Sequence, residues 1–122
     1  YRFKTPALRN VSLTAPYGHN GAYPTLKSII KHHLNPIKMN KNWKPEYANL
    51  PEATWLEEID FVTFSDKREQ DRILSSIDIQ PIELNDKEID ELVSFLKSLT
   101  GRSGNQRPLG KPDKVPSGLS ID

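Results

Sequence analysis

Phe3-Lys4-Thr5-Pro6-Ala7-Leu8-Arg9-Asn10, then Thr14-Ala15-Pro16-Tyr17-Gly18-His19-Asn20-Gly21, then a run from Thr25 that ends in His32-His33-Leu34 decide the reading of this 122-residue chain. Leu26, Ile29, Ile30, His33 and Leu34 recur at the i, i+3, i+4, i+7, i+8 spacing of one buried helix face, which predicts a helix from about Thr25 to Leu34. Thr25 has the side chain of an N-cap. Asn35-Pro36 is expected to end the helix, because a residue before proline avoids the helical region. At ~100° per residue, His33 falls in the middle of the apolar face while His32 leaves the helix roughly 100° away toward the flank. His33 is therefore expected to look inward. An imidazole in apolar surroundings needs a partner for its ring nitrogens, and iron is one such partner. On the residues alone, a core histidine satisfied by its neighbours is the commoner use.

Farther along, the pattern predicts a helix from Asp86 to Thr100. Asn85 caps it, Glu88 completes a capping-box arrangement, and Gly101 stands where a left-handed residue is wanted. Its expected buried stripe is Ile89, Leu92, Val93, Leu96 and Leu99. A third helix is expected from about Asp66 to Ser76 after a Ser65 cap. Residues from Pro36 to Phe64 show no sustained period, with a helical turn expected at Pro51 to Glu58. The tail from Arg102 to Asp122 carries a glycine or proline every few residues and reads as extended, docked or disordered. The expected division is residues 1–101 as a domain part and 102–122 as tail, with no internal repeat.

The composition describes a thin core. Only 35% of residues are hydrophobic and ten are proline, against a usual apolar share of ~45–50% on a count that includes glycine. A buried prosthetic group or a partner segment would supply the missing apolar surface. The net charge of +1 gives no long-range field, so neither nucleic acid nor an anionic membrane is implied. No apolar run approaches the ~20 residues of a membrane span. The start at Tyr1, without methionine or signal peptide, is expected of a processed or truncated chain. There is no cysteine, which by itself says nothing of redox compartment.

The quoted stretch resembles the C-terminal haem domain of the bacterial di-haem cytochrome c peroxidase superfamily, which includes the di-haem enzyme that matures tryptophan tryptophylquinone. The resemblance is strongest at residues 3–34 and 82–101; the terminal helix with Phe95-Leu96-Lys97-Ser98-Leu99-Thr100-Gly101 is common among c-type cytochromes and adds little specificity. Residues 36–64 match no pattern. The implied fold is an all-α, class I cytochrome c-like haem domain with long irregular loops. A c-type haem is attached through Cys-x-x-Cys-His, and a chain without cysteine is then the part that follows the attachment motif.

The resemblance also implies roles for particular residues. Fourteen residues beyond the histidine of Pro-Tyr-x-His, here His19, relatives place the distal ligand of the C-terminal haem, Met in the peroxidases and Tyr in the maturation enzyme; that position is His33. Imidazole is a better donor to ferric iron than thioether, so the implied haem is bis-histidine, low-spin and lower in potential than in the Met-ligated peroxidases. Met39 and His32 remain as rival ligands. The backbone carbonyls of Thr14 and Pro16 match those that line a calcium site between the two haem domains, and oxygen donors of that kind suit a hard cation. Arg9 and His19 match positions near the haem edge, where their N–H groups would neutralise propionates. Asn10 lies beside them, and Asn20 replaces the usual Asp of His-Asp-Gly, removing a charge that would orient His19. Trp43, Trp55, Tyr17 and Tyr23 are candidate electron-relay aromatics, although packing is the commoner use.

The function implied by the resemblance is that of a di-haem peroxidase-like oxidoreductase in the periplasm. This chain, inactive alone, would supply the distal ligand and part of the calcium site of an electron-transfer haem c attached outside it. The implied partners are the remainder of the same protein, a small cytochrome or cupredoxin as electron donor, and hydrogen peroxide; a homodimer is left open. Two other readings stay open: a di-haem enzyme that oxidises a protein side chain through high-valent iron, and a haem-free degenerate binding module.

Overall fold

Helix α1, Leu26–Leu34, starts on a reciprocal cap. The Ser28 N–H donates to Thr25 Oγ1 at 3.1 Å, and the Thr25 N–H donates back to Ser28 Oγ at 3.2 Å. Helix α5, Asp86–Ser98, starts the same way: the Glu88 N–H donates to Asn85 Oδ1 at 3.0 Å and the Asn85 N–H to Glu88 Oε2 at 2.8 Å. Both caps satisfy backbone donors that a helix start leaves unpaired. Between these helices lie α2 (Pro36–Asn42), α3 (Val62–Ser65) and α4 (Lys67–Ser75). The computed structural model describes residues 4–50, 55, 59–102 and 116, and among them there are helices and turns but no strand, in agreement with an all-α chain.

Three expectations about these elements need correction. Asn35-Pro36 does end α1, but it also starts α2, with the Asn35 side chain accepting from the Lys38 N–H at 2.9 Å and Pro36 in the first turn. Proline suits that first turn because its missing N–H would have been unpaired there. Met39 is therefore helical, its N–H donating to the Asn35 carbonyl at 3.0 Å. The cap of α4 is Asp66 rather than Ser65, since Asp66 Oδ1 accepts from the amides of Arg68 and Glu69. Gly101 is not left-handed; among the described residues the glycines with positive φ are Gly18 and Gly21. Its amide instead donates to Asn10 Oδ1 at 2.8 Å, so the chain leaves α5 by docking on the N-terminal segment. The turn expected at Pro51 to Glu58 and the tail beyond Arg102 fall outside the described residues, apart from Trp55 and Pro116.

Helices α1 and α5 form the centre. Lys27 of α1 pairs with Asp90 at 2.7 Å and reaches Asp86 at 3.9 Å, while Lys31, one turn later, pairs with Asp86 at 3.6 Å. Partners thus step back along α5 as they step forward along α1, so the two helices cross in opposite senses. Beneath the ion pairs sit Leu26, Ile30 and Ile89, which with Tyr23 and Pro36 are the buried apolar side chains among the described residues. The stripe of α5 is only partly covered: Val93, Leu96 and Leu99 are half-buried, but Leu92 and Phe95 are exposed. At the far end of α5 the N-terminal segment closes the fold, with the Asn10 amide donating to the Leu99 carbonyl at 3.2 Å and Ser12 Oγ 2.6 Å from Thr100 Oγ1. Trp43 anchors the connecting stretch, packing against Phe61 and Phe64 while its indole N–H donates to the Ala22 carbonyl at 2.8 Å.

Candidate functional site

The loop from Tyr17 to Tyr23 is built to fold back on itself. Tyr17 and Tyr23 exchange both backbone hydrogen bonds, at 2.7 and 2.9 Å. The five residues between them turn through three positive φ angles, at Gly18 (77°), Asn20 (53°) and Gly21 (70°). Asparagine tolerates that region and glycine occupies it without strain. The glycines also make room. A Cβ on Gly18 would lie 3.0 Å from the Tyr23 ring, and one on Gly21 would lie 3.0 Å from both the Asn49 carbonyl and Pro16 Cγ. The Tyr17 hydroxyl donates to the Val11 carbonyl at 2.9 Å, which ties the loop to the N-terminal segment.

Tyr23 leaves this loop buried and reaches the last turn of α1. Its hydroxyl is hydrogen-bonded to Nδ1 of His32 at 2.9 Å, and the two ring centroids are 5.0 Å apart. Burial, and to a lesser extent the neighbouring His33, hold the His32 imidazole below its ordinary pKa, which favours the neutral ring. Burial likewise raises the Tyr23 hydroxyl above its ordinary value.

The two histidines are thus placed opposite to expectation. His32 is half-buried against Tyr23, and His33, expected to look inward, is exposed. Periodicity gave the right helix but not the tyrosine that folds over its flank, and the apolar face is covered at Leu26 and Ile30 rather than at the last turn. The His33 ring meets His32 edge-on, centroids 5.5 Å apart at 72°. Around the end of α1 stand exposed apolar side chains: Ile37 in the first turn of α2, and Ile82, whose N–H donates to the Leu34 carbonyl at 2.9 Å. An exposed imidazole at a helix end is the kind of nitrogen donor a haem iron takes.

The remaining candidates are scattered. Arg9 lies at the other end of α5, its guanidinium near Gly101, and the thirteen residues of that helix span about 20 Å. His19 is exposed in a one-turn helix, His19–Gly21. Thr14 and Pro16 are exposed, and the Thr14 hydroxyl donates to the Val11 carbonyl at 3.0 Å. No cluster of three metal-binding side chains exists among the described residues, which is compatible with backbone donors at Thr14 and Pro16 and does not identify them. Met39 is half-buried within α2. No helix among the described residues is long and apolar enough to cross a membrane. The contact that sequence reasoning missed is Tyr23 with His32; Tyr23 drew notice only as one aromatic among several.

The sequence matches no family model, and no solved structure is significantly similar to it. It is, however, 38% identical over 106 residues to methylamine utilization protein MauG of Paracoccus denitrificans (strain Pd 1222), covering 83% of this chain and 23% of that protein. It is 34% identical over 64 residues to methylamine utilization protein MauG of Methylophilus methylotrophus, covering 52% of this chain and 19% of that protein. The chain spans about a quarter or less of the length of these relatives. The likeness upholds what residues 3–34 and 82–101 imply: this chain corresponds to part of a MauG-like protein and belongs to the di-haem cytochrome c peroxidase superfamily.

Proposed function

We propose that the chain serves a di-haem c-type peroxidase-like oxidoreductase of the periplasm and gives its electron-transfer haem a distal ligand, His33. When bound, haem c supplies one-electron redox chemistry, by which electrons from a donor protein reach a peroxidatic haem outside this chain for the reduction of hydrogen peroxide. The observation that carries the reading is the placement of His33, an exposed imidazole in the last turn of α1. His33 is preferred to His32 because its ring is exposed and it stands at the position the resemblance gives the ligand, whereas the His32 ring is half-buried against Tyr23. As an imidazole, His33 stabilises ferric iron and sets a lower potential than a thioether would. Thr14 and Pro16 offer main-chain oxygens to calcium at the junction with the rest of the protein. Arg9 and His19 offer N–H groups to propionates; the separation of Arg9 from His33 along α5 means the two would meet different parts of any shared ligand.

The names of the relatives favour a second reading. Both are named for methylamine utilization, and the superfamily includes an enzyme that matures tryptophan tryptophylquinone, so the oxidised substrate would be a side chain of a partner protein. Activity of the intact haem-bearing protein separates the two. Peroxide-dependent oxidation of a reduced small cytochrome or cupredoxin supports the first, and peroxide-dependent oxidation of a protein substrate without such a donor supports the second. Absence of a Soret band and of a pyridine haemochrome from the intact protein would overturn both in favour of a haem-free binding module.

A further inference from the structure

We infer that Tyr23 is a positioning residue for His33, acting through His32 to fix the plane of the ligand ring. This rests on the reading of His33 as an axial ligand. Three observations lead to it. Tyr23 is among the most buried of the described side chains, 7% exposed, yet it ends in a hydroxyl aimed at the last turn of α1. Its backbone is locked by the paired hydrogen bonds with Tyr17, and its ring occupies space that only a glycine at position 18 leaves open. His32, held by that hydroxyl, presents its ring to the edge of His33 at 5.5 Å and 72°.

A histidine that binds a metal is normally oriented by a hydrogen bond to its other ring nitrogen, and that outer partner tunes the metal as well. His33 is exposed and stands at a helix end, where the ring would otherwise turn about its Cβ–Cγ bond. The constraint reaches it through ring contact: Tyr23 fixes His32, and His32 restricts His33. This gives the Tyr17-Gly-His-Asn-Gly-Ala-Tyr23 loop a purpose beyond closing itself. A packing role alone would be met by phenylalanine, so the hydroxyl is the informative atom.

The test uses the intact haem-bearing protein and electron paramagnetic resonance of its low-spin ferric haem. Tyr23→Phe keeps the ring and removes the hydroxyl, and should shift the low-spin g values or split the signal into two species, with the midpoint potential of that haem moving as well. His32→Asn keeps an acceptor near the position of Nδ1 but removes the ring, and should give a shift of similar size. The double variant should shift the signal no more than either single change. His33→Ala serves as the check on the ligand itself and should turn the signal high-spin. If it does so while Tyr23→Phe and His32→Asn leave g values and potential as in the parent, the ligand reading stands and the positioning role is overturned. A shift in Tyr23→Phe without one in His32→Asn also overturns it, because the route through His32 is then absent. If His33→Ala stays low-spin, the ligand reading itself has failed and the inference falls with it. Should Tyr23→Phe not fold, His32→Asn decides alone.

Discussion

Two neighbouring histidines on one helix turn have been given different surroundings by one tyrosine, nine positions before the first of them. Tyr23 claims His32, and His33 is left exposed at the end of α1. For the intact protein this gives a sharp expectation. His33→Ala should convert the C-terminal haem from low-spin to high-spin, and His33→Met should keep six-coordination where the sulfur reaches and raise the potential, since thioether ligation favours ferrous iron. His32→Ala should perturb the low-spin signal without abolishing it. Electron paramagnetic resonance and a redox titration check all three; a high-spin signal from His32→Ala alone would exchange the roles of the two residues. The glycines of the preceding loop carry a second expectation at this scale. At φ +70°, with a Cβ facing the Asn49 carbonyl and Pro16 Cγ at 3.0 Å each, Gly21 has neither the conformation nor the room for alanine. Gly21→Ala should therefore destabilise the intact protein by about 1–3 kcal/mol, read as a lowered denaturation midpoint.

Among the elements, α1 and α5 were legible in the sequence because cap and period agree there: Thr25 before an apolar face, Asn85 and Glu88 before the stripe at Ile89; α4 was legible as a helix, with its cap one residue later than the Ser65 expected. Helix α2 was not, because Pro36 carries opposite meanings for the helix behind it and the helix ahead, and only the Asn35 cap tells them apart. Gly101 misled for a related reason: a glycine after a helix usually turns left-handed, but here Asn10 takes its amide and the backbone goes elsewhere. The loop bracket of Tyr17 and Tyr23 depends on three positive φ angles in sequence, a tertiary fact that no period announces. The caps can be tested as elements. Asn85→Ala removes the acceptor for the Glu88 amide and breaks the reciprocal pair, which should cost about 1 kcal/mol, whereas Asn85→Asp should retain most of the stability. Because Lys27 and Lys31 meet the first turns of the same helix through solvent-exposed ammonium groups, their ion pairs should matter less than the cap and diminish with salt. Chemical denaturation of the intact variants at low and high salt separates the two contributions.

For the molecule as a whole, the governing fact is how little this chain buries. Its covered apolar side chains among the described residues are Tyr23, Leu26, Ile30, Pro36 and Ile89, while Leu8, Leu13, Ile37, Ile82, Leu92 and Phe95 are among those that remain exposed. A folded chain gains its margin from apolar burial against the entropy of ordering its backbone, and that margin is small even for well-packed domains. Local devices such as caps and surface ion pairs add about 1 kcal/mol apiece at most and cannot replace a core. Of these, Leu92 and Phe95 lie on α5 and Ile37 and Ile82 near the end of α1, where an apolar prosthetic group or the rest of the polypeptide would cover them. Expressed by itself, the 122-residue chain should therefore be helical but loosely packed, without a sharp thermal transition and with poorly dispersed amide resonances. Joined to its haem-bearing part it should melt cooperatively. The same dependence gives calcium a testable place: if Thr14 and Pro16 lend carbonyls at the junction, chelation should lower the melting temperature of the intact protein and slow peroxide turnover, and added calcium should restore both. Thr14→Ala should weaken this response only modestly, because the proposed donor is the main-chain oxygen and the side chain serves a turn bond to Val11. A cooperative melt with dispersed amides for the isolated chain would show that Tyr23, Leu26, Ile30 and Ile89 suffice as a core, and the dependence on a covering partner would be wrong.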